Sequence, residues 1–271
     1  MNTLKFLYEN PLGRVILFAL SSRRLSKLCG RFLDSRMSKC LIPYFIKKNN
    51  IELSLYEKEK YRSFNDCFTR RIKSDNRPID MEKFDFISPC DGHLSVYNIS
   101  NGLVIPVKQS YYTIKDLLEN DELADKYKDG LCLVIRLAVD NYHRYCYVDN
   151  GVHGENVFIP GKLHTVRPIA LRSKPVFVQN CREYTSIDTE NFGTLIQMEV
   201  GAMLVGKIKN YYENHLCIRG EEKGKFLYGG STIILLLEKD KLVLPEDYYR
   251  SADESVEIPI KMGEKIGRCK A

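Results

Sequence analysis

The sequence predicts an α+β fold, a helical N-terminal part followed by a β-rich body. Apolar residues recur at helical spacing mainly near the N-terminus, whereas beyond Pro78 short apolar runs are bounded by glycines and charged turns. No Gly-x-Gly-x-x-Gly or phosphate-loop pattern interrupts them, so a dinucleotide fold is not expected. Helices leading into many short strands suggest the α+β class.

Residues 1–50 carry ten Lys or Arg against two Asp or Glu, a net +8, although the whole 271-residue chain is only +6. The positive excess therefore belongs to one end and is interleaved with large apolar side chains, which points to a membrane surface rather than to nucleic acid. The uncharged run Val15 to Ser22 has eight residues, against the roughly 20 needed to cross a bilayer. A signal peptide is not expected either, because Glu9 and Arg14 precede that short run and Arg23-Arg24 follow it without a small-residue cleavage site. Next, Leu25, Leu28, Phe32 and Leu33 fall at helical spacing with Arg24, Lys27, Arg31 and Arg36 largely between them. This predicts a basic amphipathic helix, suited to lying on an anionic membrane or to packing on the body with a solvated basic face.

A short polar helix is expected around Ser54 to Tyr61, and one longer helix from Thr113 to Tyr127, where Leu117, Leu118 and Leu123 stand among mostly charged residues. Strands are expected at Leu131 to Val139, Thr194 to Val200, Met203 to Ile208 and Thr232 to Leu237. Nine scattered cysteines with no Cys-x-x-Cys pair read as reduced thiols of a cytosolic protein. The five histidines are too dispersed to define a site, and no His, Cys and carboxylate cluster has metal-ligand spacing.

Three segments carry candidate chemistry. Phe226-Leu227-Tyr228-Gly229-Gly230-Ser231-Thr232 leads directly into an apolar strand. Two glycines before a serine usually make a turn, but a glycine there also leaves its carbonyl open to attack by the serine's own hydroxyl. Such a serine can cut its own chain. Ser88-Pro89-Cys90-Asp91-Gly92 places a carboxylate in a Pro/Gly-bounded turn, and Tyr142-His143-Arg144-Tyr145-Cys146-Tyr147 places an imidazole just after a strand. A serine, a histidine and an aspartate in separate segments occur by chance in most chains of this length, so their presence alone decides nothing.

In order, and with their neighbours, these segments resemble the phosphatidylserine decarboxylase proenzymes. The resemblance runs through Phe64-Asn65-Asp66, Phe68-Thr69-Arg70, Arg77-Pro78, Ser88-Pro89 with Asp91-Gly92, and Tyr142-His143-Arg144. It continues through Arg182-Glu183-Tyr184, Glu190-Asn191-Phe192-Gly193, Met198-Glu199-Val200-Gly201-Ala202, Arg219-Gly220-Glu221-Glu222-Lys223-Gly224 and Gly229-Gly230-Ser231-Thr232. It implies a membrane-associating segment of residues 1–50 and a decarboxylase domain of residues 51–271. The chain would cut itself between Gly230 and Ser231 into a β chain (1–230) and an α chain (231–271). Ser231 would become a pyruvoyl cofactor that condenses with the amine of phosphatidylserine and takes up the electrons released as carbon dioxide leaves, giving phosphatidylethanolamine. Ser231, His143 and Asp91 would form the cleavage triad, since a serine hydroxyl needs a base and the base an orienting carboxylate. Neither a metal nor pyridoxal phosphate is required.

The implied partners are an anionic phospholipid membrane, the phosphatidylserine substrate, and the α and β chains for each other. A homodimer stays open, and the implied location is peripheral, on the cytoplasmic face of the cell membrane. Two positions depart from the family pattern: Cys146 stands where members commonly have a second histidine, and Lys108-Gln109-Ser110-Tyr111-Tyr112 lacks the glycine that often follows the lysine. The alternatives are a membrane-associated serine hydrolase, for which the Gly-x-Ser-x-Gly elbow is missing, and an unprocessed membrane-binding module.

Overall fold

Helices open the chain, as the apolar spacing predicts. The computed structural model describes residues 6–8, 10–100, 103–107, 110–165, 176–202, 207–227, 231–249 and 257–270. The first four longer helices are α1 (Pro11–Leu20), α2 (Arg23–Asp34), α3 (Ile42–Lys48) and α4 (Phe64–Phe68). The Ser22 hydroxyl caps α2 by accepting from the Leu25 amide, which satisfies one of the amides a helix start leaves open. Leu33 of α2 packs with Phe45, Phe64 and Phe68 in a small apolar cluster, while Leu28 and Phe32 stay exposed. The predicted apolar stripe is thus divided between the body and the surface. No helix among the described residues is long and apolar enough to cross a membrane.

The helix expected at Ser54 to Tyr61 does not form beyond a single 3-10 turn, Leu53–Leu55. Tyr56 instead bridges to Ile72, and the Arg70 guanidinium lies 4.5 Å over the Tyr56 ring. The helix expected at Thr113 to Tyr127 is two short ones, α5 (Ile114–Leu118) and α6 (Asp121–Asp125). The buried Arg182 side chain donates to the carbonyls of Asp116 and Leu117, ending α5 where Glu119 turns left-handed at φ 51°. A further short helix, α7, spans Val176–Gln179.

Among the described residues, sixteen strands make the body. They begin with β1 (Asp85–Ile87), β2 (Gly92–Asn98), β3 (Leu103–Val107), β4 (Ser110–Thr113), β5 (Leu131–Leu137) and β6 (Arg144–Cys146). Then come β7 (Gly151–Ile159), β8 (Arg182–Thr189), β9 (Gly193–Gly201), β10 (Ile208–Asn210), β11 (His215–Cys217) and β12 (Glu222–Phe226). The last four are β13 (Ser231–Leu237), β14 (Leu242–Val243), β15 (Ile258–Ile260) and β16 (Lys265–Cys269). Of the expected strand at Met203 to Ile208, residues 203–206 lie outside the described residues.

An antiparallel eight-stranded sheet, in the order β11-β7-β8-β9-β13-β5-β2-β15, is the frame. Strand β13 runs near its middle and is buried along all seven residues, as its unbroken apolar run suggests for a strand covered on both faces. Ile234 and Leu236 face a core closed by α5, α6 and α7, while Ile233, Leu235 and Leu237 face a second core. Smaller sheets, β10-β12-β6 and β1-β16-β14, close that second core. Trimming Leu235 or Leu236 to Ala should cost about 2–5 kcal/mol, because close-packed neighbours cannot fill the space.

Candidate active site

Ser231 is the first residue of β13, paired with Leu137 at the end of β5 and with Gly201 at the end of β9. It is only 1% exposed, and its Oγ has no hydrogen-bond partner among the described residues. A buried hydroxyl without a partner costs stability, so its persistence calls for a cause. Gly229 and Gly230, on the other side of the expected cut, lie outside the described residues.

His143 lies in the loop that follows β5, the strand whose last residue pairs with Ser231. Asn141 shapes that loop: its side-chain oxygen accepts from the Ala138 amide at 2.7 Å, which stops β5 short of the expected Val139. The carbonyl of His143 accepts from the Phe226 amide at 2.9 Å, tying the loop to the segment that leads towards Ser231. The imidazole is fully buried and packs on Phe68 at 4.1 Å between ring centres. Its Nδ1 lies 2.8 Å from the Asn141 carbonyl, and Nε2 has no partner among the described residues. A carbonyl only accepts, so Nδ1 carries the proton and Nε2 offers a lone pair. Burial, aided by the nearby Arg70 charge and partly offset by the Asn141 carbonyl, lowers the His143 pKa to about 3. The ring is therefore neutral at physiological pH.

The expected hydrogen bond from His143 to the Asp91 carboxylate is not formed. Both Asp91 oxygens receive the Arg77 guanidinium, at 3.0 and 2.6 Å, and one also accepts from the Met262 amide at 2.9 Å. In this uncut chain a backbone carbonyl, not a carboxylate, orients the imidazole. Asp91 holds the Ser88 to Gly92 turn, and Cys146 packs there too, its amide donating to Pro89 and its Sγ 4.0 Å from the Ser88 carbonyl. Burial pushes the Cys146 thiol up to about 12, so it remains protonated and unreactive.

A second polar group on the same sheet face as Ser231 becomes visible only in the fold. Glu199 of β9 stands opposite Ile233, one diagonal step from Ser231. Its carboxylate takes the Lys223 ammonium at 2.9 and 3.1 Å, both side chains wholly buried. Asn210 joins them, accepting from Lys223 at 2.9 Å and donating to Glu199 at 3.1 Å. Burial raises the Glu199 pKa while Lys223 pulls it back down. This network fastens β12, the strand before the expected cut, to β9.

Comparison with known proteins decides the family. The family model for phosphatidylserine decarboxylase matches residues 64–268. The chain belongs to the phosphatidylserine decarboxylase family. It is 45% identical over 265 residues to phosphatidylserine decarboxylase proenzyme 2 of Clostridium acetobutylicum, covering 97% of this chain and 91% of that protein. It is 41% identical over 273 residues to the phosphatidylserine decarboxylase proenzyme of Clostridium novyi, covering 98% and 92% respectively. The decarboxylase match includes Asp91, His143, Glu199, Lys223 and Ser231. It begins at α4, whereas the similarity to the whole clostridial proteins reaches into the basic helices.

Proposed function

We propose that this protein cuts itself between Gly230 and Ser231, converts Ser231 to a pyruvoyl group, and decarboxylates phosphatidylserine to phosphatidylethanolamine at an anionic membrane. The observation that carries this reading is the burial of Ser231 with an unpartnered hydroxyl at the start of a central strand. A hydrolase nucleophile must meet an incoming substrate and therefore sits on an open turn. A buried strand serine can reach only its own chain.

In the first step Ser231 Oγ attacks the Gly230 carbonyl carbon. The C–O bond forms, the C–N bond breaks, and the hydroxyl proton passes by way of His143 to the departing Ser231 amine. His143 suits this role because its tautomer presents the Nε2 lone pair. The burial that fixes this state also makes it a weak base, which is sufficient for an event that happens once per molecule. Elimination then removes the Ser231 Cα proton and breaks the Cβ–O bond, forming a Cα=Cβ double bond and freeing the carboxylate of Gly230; the resulting enamine takes up a proton at Cβ and becomes an imine. Water replaces the α-amine, releasing ammonia and leaving a ketone at the new N-terminus of the α chain.

The site suits such a group: it is neutral, it lies in an apolar corner, and Gly201 opposite has no side chain to obstruct it. The ketone supplies an electrophile for the substrate amine and a sink for the electrons freed with carbon dioxide. Cleavage also makes residue 231 a chain end, which lets the buried position open towards substrate.

For membrane attachment, the first helices expose Leu12, Val15 and Phe18 on α1 and Leu28 on α2, next to the basic side chains Lys27 and Arg31. Apolar insertion and attraction of cations to anionic lipid act together in such a segment. Nine unpaired cysteines suit the reducing, cytoplasmic side. Carbon dioxide release from labelled phosphatidylserine tests the activity: wild type should release it and the uncleaved Ser231→Ala variant should not. Release by an uncleaved chain would overturn the proposal. Binding to anionic vesicles should weaken with added salt and with Phe18→Ser.

A further inference from the structure

Between α2 and the body lies a cleft of about 480 Å³, within the range of small-ligand pockets. Leu227, in its wall, precedes Ser231 by four residues, and the Leu227 amide donates to the Lys207 carbonyl at 3.0 Å. The cleft thus adjoins the segment that carries the reacting position. Three cations line it, Lys27 and Arg31 from α2 and Lys207 before β10, and none of them makes an ion pair among the described residues. Its two carboxylates are engaged by amides, Asp34 by Asn65 at 2.8 Å and Glu183 by Asn210 at 2.7 Å.

Helix α2 presents two parallel stripes. Lys27 and Arg31 line the cleft, and Leu28 and Phe32, each one residue further on, are exposed. Residues four apart share a helix face. Cations therefore point into the cleft from the same helix that offers apolar side chains to acyl chains. The lining is net +1, with three cations and two carboxylates. A phosphoserine headgroup is net −1, with a phosphodiester, a carboxylate and an ammonium, and is complementary to it in both sign and pattern.

We propose that this cleft receives the glycerophosphoserine headgroup, with Lys27, Arg31 and Lys207 holding its phosphodiester and carboxylate oxygens; this rests on the decarboxylase reading above. Glu183, at the end of the Asn210 link to Glu199, faces the ammonium side of the headgroup. Loss of the carboxylate turns the headgroup from net −1 to neutral, so the product is held more weakly than the substrate and leaves.

Titration calorimetry of the processed protein, run alongside carbon dioxide release, tests this. The probes are glycerophosphoserine, glycerophosphoethanolamine and inorganic phosphate, none of which carries acyl chains. Glycerophosphoserine should bind most tightly. Lys27→Gln, Arg31→Gln and Lys207→Gln should each weaken it by roughly tenfold, raising KM for short-chain phosphatidylserine with kcat and self-cleavage little changed. Lys128→Gln, on an exposed loop after α6, should change neither. Unchanged affinity in all three cleft variants would overturn the proposal, and so would inorganic phosphate binding as tightly as glycerophosphoserine. Headgroup binding without carbon dioxide release would uphold the cleft and refute the decarboxylase reading instead.

Discussion

Two groups of buried polar side chains, one built on Glu199 and the other on Ser231 of the same central-sheet face, differ in how their hydrogen bonds are met. In the Glu199–Lys223–Asn210 network the carboxylate and the ammonium are each held by several partners. One diagonal step from Glu199, Ser231 Oγ has no partner among the described residues, and neither has His143 Nε2 in the loop after β5. Burying a polar group without a partner costs about 1–3 kcal/mol. The network staples β12 to β9 as scaffold, whereas the proposed function gives Ser231 and His143 the reacting roles. Burial and charge alone would have singled out the ion pair.

Substitutions should separate the two groups. The largest effect is expected from Ser231→Ala, which should leave a single uncut chain with decarboxylation at background in a gel and gas-release assay. His143→Ala should slow self-cleavage by roughly 10²–10⁴-fold, the usual worth of a positioned base, with the fold kept by circular dichroism. Lys223→Met should instead cost about 3–5 kcal/mol in denaturant unfolding, since it leaves the Glu199 charge buried and alone. Adding Glu199→Met should recover much of that loss, because two apolar side chains replace the ion pair. If Lys223→Met stopped cleavage without affecting stability, the division between scaffold and reacting pair would fail.

Smaller effects sharpen the same contrast. Folded His143 resists protonation down to about 3, while the unfolded chain takes up the proton near 6.5. Its contribution to stability is complete above about pH 6.5 and is lost as pH falls, at about 1.4 kcal/mol per pH unit. His153, lowered to about 4 mainly by burial, acts in the same direction. Urea midpoints between about pH 6 and pH 5 should therefore fall, and His143→Gln should remove about half of that slope. Cys146→Ala should cost about 1 kcal/mol and cleave at nearly the normal rate, since the thiol is protonated and packed against the Ser88 turn.

Much of the fold was legible because the signals were local. The apolar run from Ile233 to Leu237 announced a central strand, and the spacing of Leu25, Leu28, Phe32 and Leu33 announced α2. Where distant residues took over, local reading failed. Arg182 ends α5 from 63 residues away, and Ile72 draws Tyr56 out of the expected helix. The site divides in the same manner. Gly-Gly-Ser at a strand entrance drew attention to Ser231 and its motif to His143 as candidates, but the group orienting the imidazole is a backbone carbonyl, which no side-chain pattern reveals. Lys223 reads as part of a charged turn until the fold brings Glu199, 24 positions away, against it.

The central claim is that Ser231 attacks the bond before it, and the intact mass of the purified protein under denaturing conditions tests this most directly. Two masses are expected, residues 1–230 with a free carboxylate and residues 231–271 with a pyruvoyl in place of Ser231, resistant to Edman degradation. A single mass for residues 1–271 in protein that decarboxylates phosphatidylserine would contradict the claim.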